Sequence, residues 1–76
     1  MEATPYIVEN LPEFADVMTI ERRRQSITQQ ELSIRSGVSP QMISAIEHRK
    51  REPTLGIVVL LAVALGITLV LGAKKG

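Results

Sequence analysis

The sequence predicts an all-α fold: a bundle of four to five short helices followed by a short C-terminal β-strand, expected to pair across a homodimer. Three observations lead there. Residues 27–50 contain two short, capped helices joined by a Gly-centred turn. Phe14, Val17 and Met18 repeat at helical spacing ahead of them. The apolar C-terminal run is cut by Gly66 into a helix-length piece and a β-branched piece.

Residues 1–9 hold Pro5 and the apolar trio Tyr6-Ile7-Val8. Between a small edge strand and a loosely ordered arm, the arm is the expectation. Asn10 with Glu13 forms a capping-box pattern and Pro12 lies in the first helical turn, so a helix runs to about Gln25. Phe14, Val17 and Met18 give it a core face, and Arg22, Arg23 and Arg24 sit in its last turn, where cations complement the helix dipole. Thr28 caps the next helix, Glu31 completes its capping box, Leu32 points inward and Gly37 ends it. Ser39 caps a third helix that begins at Pro40 and runs to about His48. Ile43 and Ile46 take its buried side and leave Ser39, Gln41, Ser44 and Ala45 facing outward. A small, uncharged, hydrogen-bonding face of this kind suits a DNA major groove. At the same spacing Met42 is expected to pack against the first helices.

These residues resemble the phage-repressor (Cro/repressor, XRE) family of helix-turn-helix domains, lambda-repressor-like in fold. The matching set is Thr28-Gln29, Glu31-Leu32, Gly37-Val38-Ser39, Ile43-Ser44 and Ile46-Glu47, then Pro53-Thr54-Leu55, Ala62 and Ala64-Leu65-Gly66. The resemblance implies a buried ion pair between Arg22 and Glu47, tying the first helix to the end of the third. Breaking such a pair from one side costs about 3–5 kcal/mol. An exposed pair would be worth under about 1 kcal/mol. It also implies that Thr28 and Gln29 hold phosphate. The family usually has small residues such as Ala where this chain has Ser33 and Ser36, which lets the helices cross closely. One position departs from the pattern: Arg49 stands where the family ends its third helix with Gly. A non-Gly residue at positive φ would be strained by about 1 kcal/mol, so residues 49–52 are expected to take another route, with Arg49, Lys50 and Arg51 near passing phosphates.

A chain of 76 residues makes one small domain, and it lacks cysteine for disulfides and a Cys/His cluster for zinc. A second copy is the expected source of the missing stability, and the absence of cysteine fits a reducing cytoplasm. The net charge of +1 conceals an asymmetry. Glu2, Glu9, Glu13, Asp16 and Glu21 occupy residues 1–21 without a base. Arg22, Arg23, Arg24, Arg35, Arg49, Lys50 and Arg51 outnumber Glu31, Glu47 and Glu52 in residues 22–52, which points to one basic face. No secretory signature opens the chain. With no Cys nucleophile, paired His, Gly-rich phosphate loop or acidic dyad, no enzymatic role is expected, and neither is a cofactor, metal or small-molecule ligand. His48, the lone histidine, reads as a surface residue or phosphate neighbour.

Residues 55–73 carry no charge and have bases on both sides, which qualifies them as a membrane-span candidate. Against that, Thr54 is a helix cap, and Leu55, Val58, Leu61, Ala62 and Leu65 form a core side. Gly66 then falls at a helix end, and Ile67-Thr68-Leu69-Val70-Leu71 alternates like a strand. The division is therefore an arm over 1–9, a DNA-binding body over 10–66, and a dimerisation strand with a basic tail over 67–76. Leu60 and Val63 fall where the family has polar residues. A dimer interface of Leu60, Val63, Ile67, Leu69 and Leu71 would cover them, with fourth helices packed together and terminal strands paired antiparallel. That ending resembles the small HipB-type antitoxins.

The expected function is a homodimeric transcriptional regulator, without an enzymatic role, that reads a palindromic operator in double-stranded DNA. Gln41 can bond adenine N6 and N7, Ser44 donates or accepts, Ala45 touches a thymine methyl, and Ser39 and Pro40 lie at the helix tip. Thr28, Gln29, Arg49 and Lys50 would serve the phosphates. The competing roles are a module that binds a protein partner such as a toxin, and a membrane-anchored helix-turn-helix protein.

Overall fold

The computed structural model describes residues 4–8 and 10–71, with side chains over 10–70. In order these form β1 (Thr4–Val8), α1 (Leu11–Arg24), α2 (Gln29–Ser36), α3 (Pro40–Glu47), α4 (Leu55–Leu65) and β2 (Ile67–Leu71).

Local chemistry starts each helix. Asn10, Thr28, Ser39 and Thr54 all have extended backbones, and each side chain accepts the N–H three residues on. At α2 the box is reciprocal: Thr28 Oγ1 accepts from Glu31 N at 3.0 Å, and Glu31 Oε1 accepts from Thr28 N at 2.8 Å. Those bonds favour the ionised Glu31 carboxyl and hold it below the usual carboxylate range. Gly37 (φ 79°) and Gly66 (φ 70°) end α2 and α4 in the left-handed region that glycine reaches without cost.

The ends of α1 and α3 reach that region without glycine. Ser26 and Arg49 both have φ 59°. After α1, Ser26 N bonds Arg23 O and Ile27 N bonds Arg22 O. After α3, Arg49 N bonds Ile46 O and Lys50 N bonds Ala45 O. Both are Schellman closures, whose paired N–H bonds satisfy orphan carbonyls and outweigh about 1 kcal/mol of left-handed strain. The expected detour at residues 49–52 is thus absent: the chain keeps the turn and accepts a strained arginine.

Among the described residues the core is one cluster. Phe14, Met18, Leu32, Ile43, Ile46 and Leu61 are fully buried, with Ala15, Ile27, Val38, Val58, Ala62, Leu65 and Ile67 around them. Val17 and Met42 pack partly against it. Leu55 departs from expectation: at the first position of α4 it projects past the core and is 57% exposed.

Residues 4–8 form a strand where an arm was expected. β1 pairs in parallel with β2, Thr4 opposite Ile67 through Val8 opposite Leu71. Parallel pairing needs a long crossover, and here the whole helical bundle supplies it. An apolar trio beside an open strand edge gains a hydrogen-bonded ladder, and Pro5 is tolerated because β1 is itself an edge. The partner of β2 in this structure is therefore β1 of the same chain. Ile67 is buried in the chain's own core rather than turned to a partner, and Leu69 packs partly against that core. The Leu71 side chain, the basic tail and residues 1–3 and 9 lie outside the described residues. The apolar run resolves into a helix, Gly66 and a strand, and no helix among the described residues is long and apolar enough to cross a membrane.

Candidate nucleic-acid interface

The outward side of α3 is assembled as its spacing requires. Ser39 and Gln41 are exposed, Pro40, Ser44 and Ala45 half-buried. Pro40, Gln41, Ser44, Ala45 and Lys50 line one open depression, and Ser39, Gln41, Met42, Ala45 and Arg51 line the adjoining one. Gln41 and Ala45 sit on the ridge common to both. Ser39 Oγ is occupied as the cap of α3, accepting from Met42 N at 3.1 Å. Arg51 joins this surface although its sequence position offered only a generic basic loop. The cause is the turn, since Lys50 N and Arg51 N both bond Ala45 O (2.8 and 3.3 Å) and fold the loop back along α3. His48 follows on the same face, its Nδ1 2.8 Å from Ser44 O, so that nitrogen carries the proton.

Behind this face stands the Arg22–Glu47 pair. Arg22 Nε donates to Glu47 Oε2 at 2.7 Å and Nη2 to Oε1 at 2.9 Å, a two-pronged contact. The side chains are 11% and 4% exposed. Arg22 Nη1 also reaches Ile27 O at 2.9 Å, and Gln29 Nε2 donates to Glu47 Oε1 at 2.9 Å. Burial opposes ionisation of Glu47, but hydrogen bonds from Arg22 and Gln29, with the charges of Arg22 and Arg23, outweigh it and hold the carboxyl below its usual range. The Glu47 hydrogen bond in turn raises Arg22. The pair anchors α3 to α1 and to the start of α2.

Arg49 is placed differently from Lys50. Its guanidinium reaches back to α1 and donates to Asp16 Oδ2 at 2.5 Å. Arg24 is held by the buried Glu21, which also accepts from Gln25 (2.9 Å), while Gln25 donates to Leu65 O at the end of α4 (2.6 Å). The acidic first helix thus neutralises part of the basic cluster. Lys50 and Arg51 remain beside the α3 face. Thr28 is exposed and Gln29 half-buried at the start of α2. Among the described residues no group of His, Asp or Glu is placed to hold a metal.

Residues 20–71 match the helix-turn-helix family. The chain is 46% identical over 54 residues to the HTH-type transcriptional regulator y4dL of Sinorhizobium fredii (strain NBRC 101917 / NGR234), covering 71% of this chain and 28% of that protein. It is 43% identical over 47 residues to y4dJ of the same organism, covering 62% and 61%. The chain therefore spans less than two thirds of the length of each of these relatives. Among solved structures, the restriction-modification controller protein C.Esp1396I, as a tetramer with its natural 35 base-pair operator, superposes with a TM-score of 0.72 at 26% identity over 76% of each chain. The controller protein C.AhdI from Aeromonas hydrophila gives 0.69 at 26% identity over 75% of this chain and 86% of that one. With capped α2 and α3, the buried pair behind them and these matches, the chain belongs to the phage-repressor (XRE) family of helix-turn-helix transcriptional regulators.

Proposed function

We propose that the chain is a sequence-specific, homodimeric regulator that lays α3 into the DNA major groove, and that it works in the cytoplasm on a palindromic operator. One observation carries this reading. The exposed side of α3 is small, polar and bordered by Lys50 and Arg51, while its opposite side is locked to the body through Ile43, Ile46 and Glu47. Gln41, Ser44 and Ala45 then read base edges, Ser39 and Pro40 approach at the helix tip, and Thr28, Gln29, Lys50 and Arg51 serve phosphates. Arg49 adds to this only by exchanging Asp16 for a phosphate.

The second copy is supported by α4. Leu55, Val59, Leu60 and Val63 form a stripe along its outer side, 57%, 51%, 49% and 74% exposed. On β2, Val70 is a further exposed apolar side chain, at 49%. Packing two such helices about a two-fold axis removes the stripe from water. The edge of β2 opposite β1 can then pair antiparallel with its counterpart, giving a mixed four-stranded sheet with β1 outermost on each side. Recognition helices in successive major grooves place half-site centres about 34 Å apart.

Selection of bound duplexes from a random pool tests this directly. The expected result is enrichment of a two-fold symmetric site. Salt-sensitive binding without enrichment would overturn sequence reading and favour a protein partner, such as a toxin, as the chief target.

A further inference from the structure

We infer that Glu47 is a positioning residue for DNA binding: clamped by Arg22, its carboxylate fixes the side-chain amide of Gln29 so that one amide N–H is presented to a backbone phosphate. The inference rests on the DNA-binding reading above and assigns Glu47 a role beyond joining α1 to α3.

The orientation of the amide follows from chemistry. A carboxylate only accepts, so the group facing Glu47 Oε1 at 2.9 Å must be the Gln29 nitrogen, with the amide oxygen turned away. That nitrogen carries two hydrogens and Glu47 takes one. Among the described residues the second N–H and the amide oxygen have no hydrogen-bond partner. Gln29 is the first residue of α2, half-exposed at its positive end. A loose glutamine would have to be ordered on contact with DNA, whereas this one is ordered beforehand, which lowers the cost of binding. A lone carboxylate so near a phosphate would repel it. The Arg22 guanidinium, bound through two nitrogens, cancels that charge and leaves Glu47 as an acceptor with a fixed direction.

The test measures affinity for the selected operator and for random duplexes by fluorescence anisotropy. Gln29→Met keeps the length of the side chain and removes both N–H groups. It is expected to weaken every duplex by about three- to tenfold, the range set by one side chain's ordering and contact. The double replacement Arg22→Met with Glu47→Leu exchanges the pair for apolar residues, a change that folded proteins commonly tolerate. It is expected to weaken binding by the same factor, and adding Gln29→Met to it should bring no further loss. Wild-type affinity in the double variant, or full additivity in the triple, overturns the inference. A second readout needs no variant: the Gln29 side-chain amide should show a ¹⁵N order parameter near the rigid-backbone value of about 0.85, and a value below about 0.6 overturns it. If the wild-type chain binds no duplex, the DNA reading falls and the inference with it. If it binds while the amide is mobile, only the inference falls.

Discussion

Arg49 shows how a single backbone angle can separate stability from binding. Its φ of 59° costs about 1 kcal/mol for a residue with a Cβ, and its pair with Asp16 returns little because the two side chains are 51% and 61% exposed. Arg49→Gly is therefore expected to raise stability, by up to about 1 kcal/mol in urea melts. A loss instead would mean that the Asp16 contact outweighs the strain. Base reading and phosphate contact separate in the same way on the α3 face. Gln41→Ala should cost about 1–3 kcal/mol on the operator and relax preference at one base, whereas Lys50→Ala should weaken all duplexes nearly equally and lower the salt slope by about one. If Gln41→Ala leaves the preferred base unchanged, Gln41 does not read it. The caps at Thr28 and Ser39 and the stop at Gly37 were legible because each depends on neighbours within four residues. The turn at Arg49 was not, because its usual glycine is missing and only the bonds from Arg49 to Ile46 and from Lys50 to Ala45 reveal it.

Among the elements, Glu47 joins α1, α2 and α3 in a largely buried polar junction. Glu47→Ala would leave Arg22 stranded at 11% exposure, so a loss of about 3–5 kcal/mol is expected in denaturant titration. A loss below about 1 kcal/mol would show that solvent already screens the pair. The pair also fixes a pH dependence. Because the folded carboxyl binds its proton less tightly than the unfolded one, its stabilisation is present in full above the unfolded value of about 4.3. It drains away as pH falls through the lower folded value. Stability measured from pH 6 down to pH 3 should fall more steeply for the wild-type chain than for Glu47→Gln, and equal slopes would contradict the depressed carboxyl. The resemblance implied this pair, though its partners stand far apart in sequence. Nothing comparable pointed to β1, whose strand character comes from pairing with β2 at the other end of the chain. A short segment holding Pro5 carries little strand signal of its own, because the ladder that makes it a strand is supplied by β2 at the far end of the chain.

For the whole molecule, the proposed dimer turns on α4. Its apolar side chains run all round, so one side fills the core through Val58, Leu61, Ala62 and Leu65 while the other offers Leu55, Val59, Leu60 and Val63 to solvent. Composition announced this excess but not its cause, since helix, strand and membrane span all accept the same residues. Gly66 separates the readings by stopping the helix at Leu65. Val63 is the most exposed of the stripe at 74%, so Val63→Lys should leave the monomer fold intact while placing two like charges against each other across the two-fold axis. Sedimentation is then expected to show a dimer for the wild-type chain and a monomer for the variant. Affinity for a palindrome should drop towards that of one half-site, because the second α3 no longer binds from an effective concentration fixed by the first. An unchanged dimer would move the interface away from α4, and an unchanged palindrome preference in a proven monomer would remove dimerisation from the mechanism altogether.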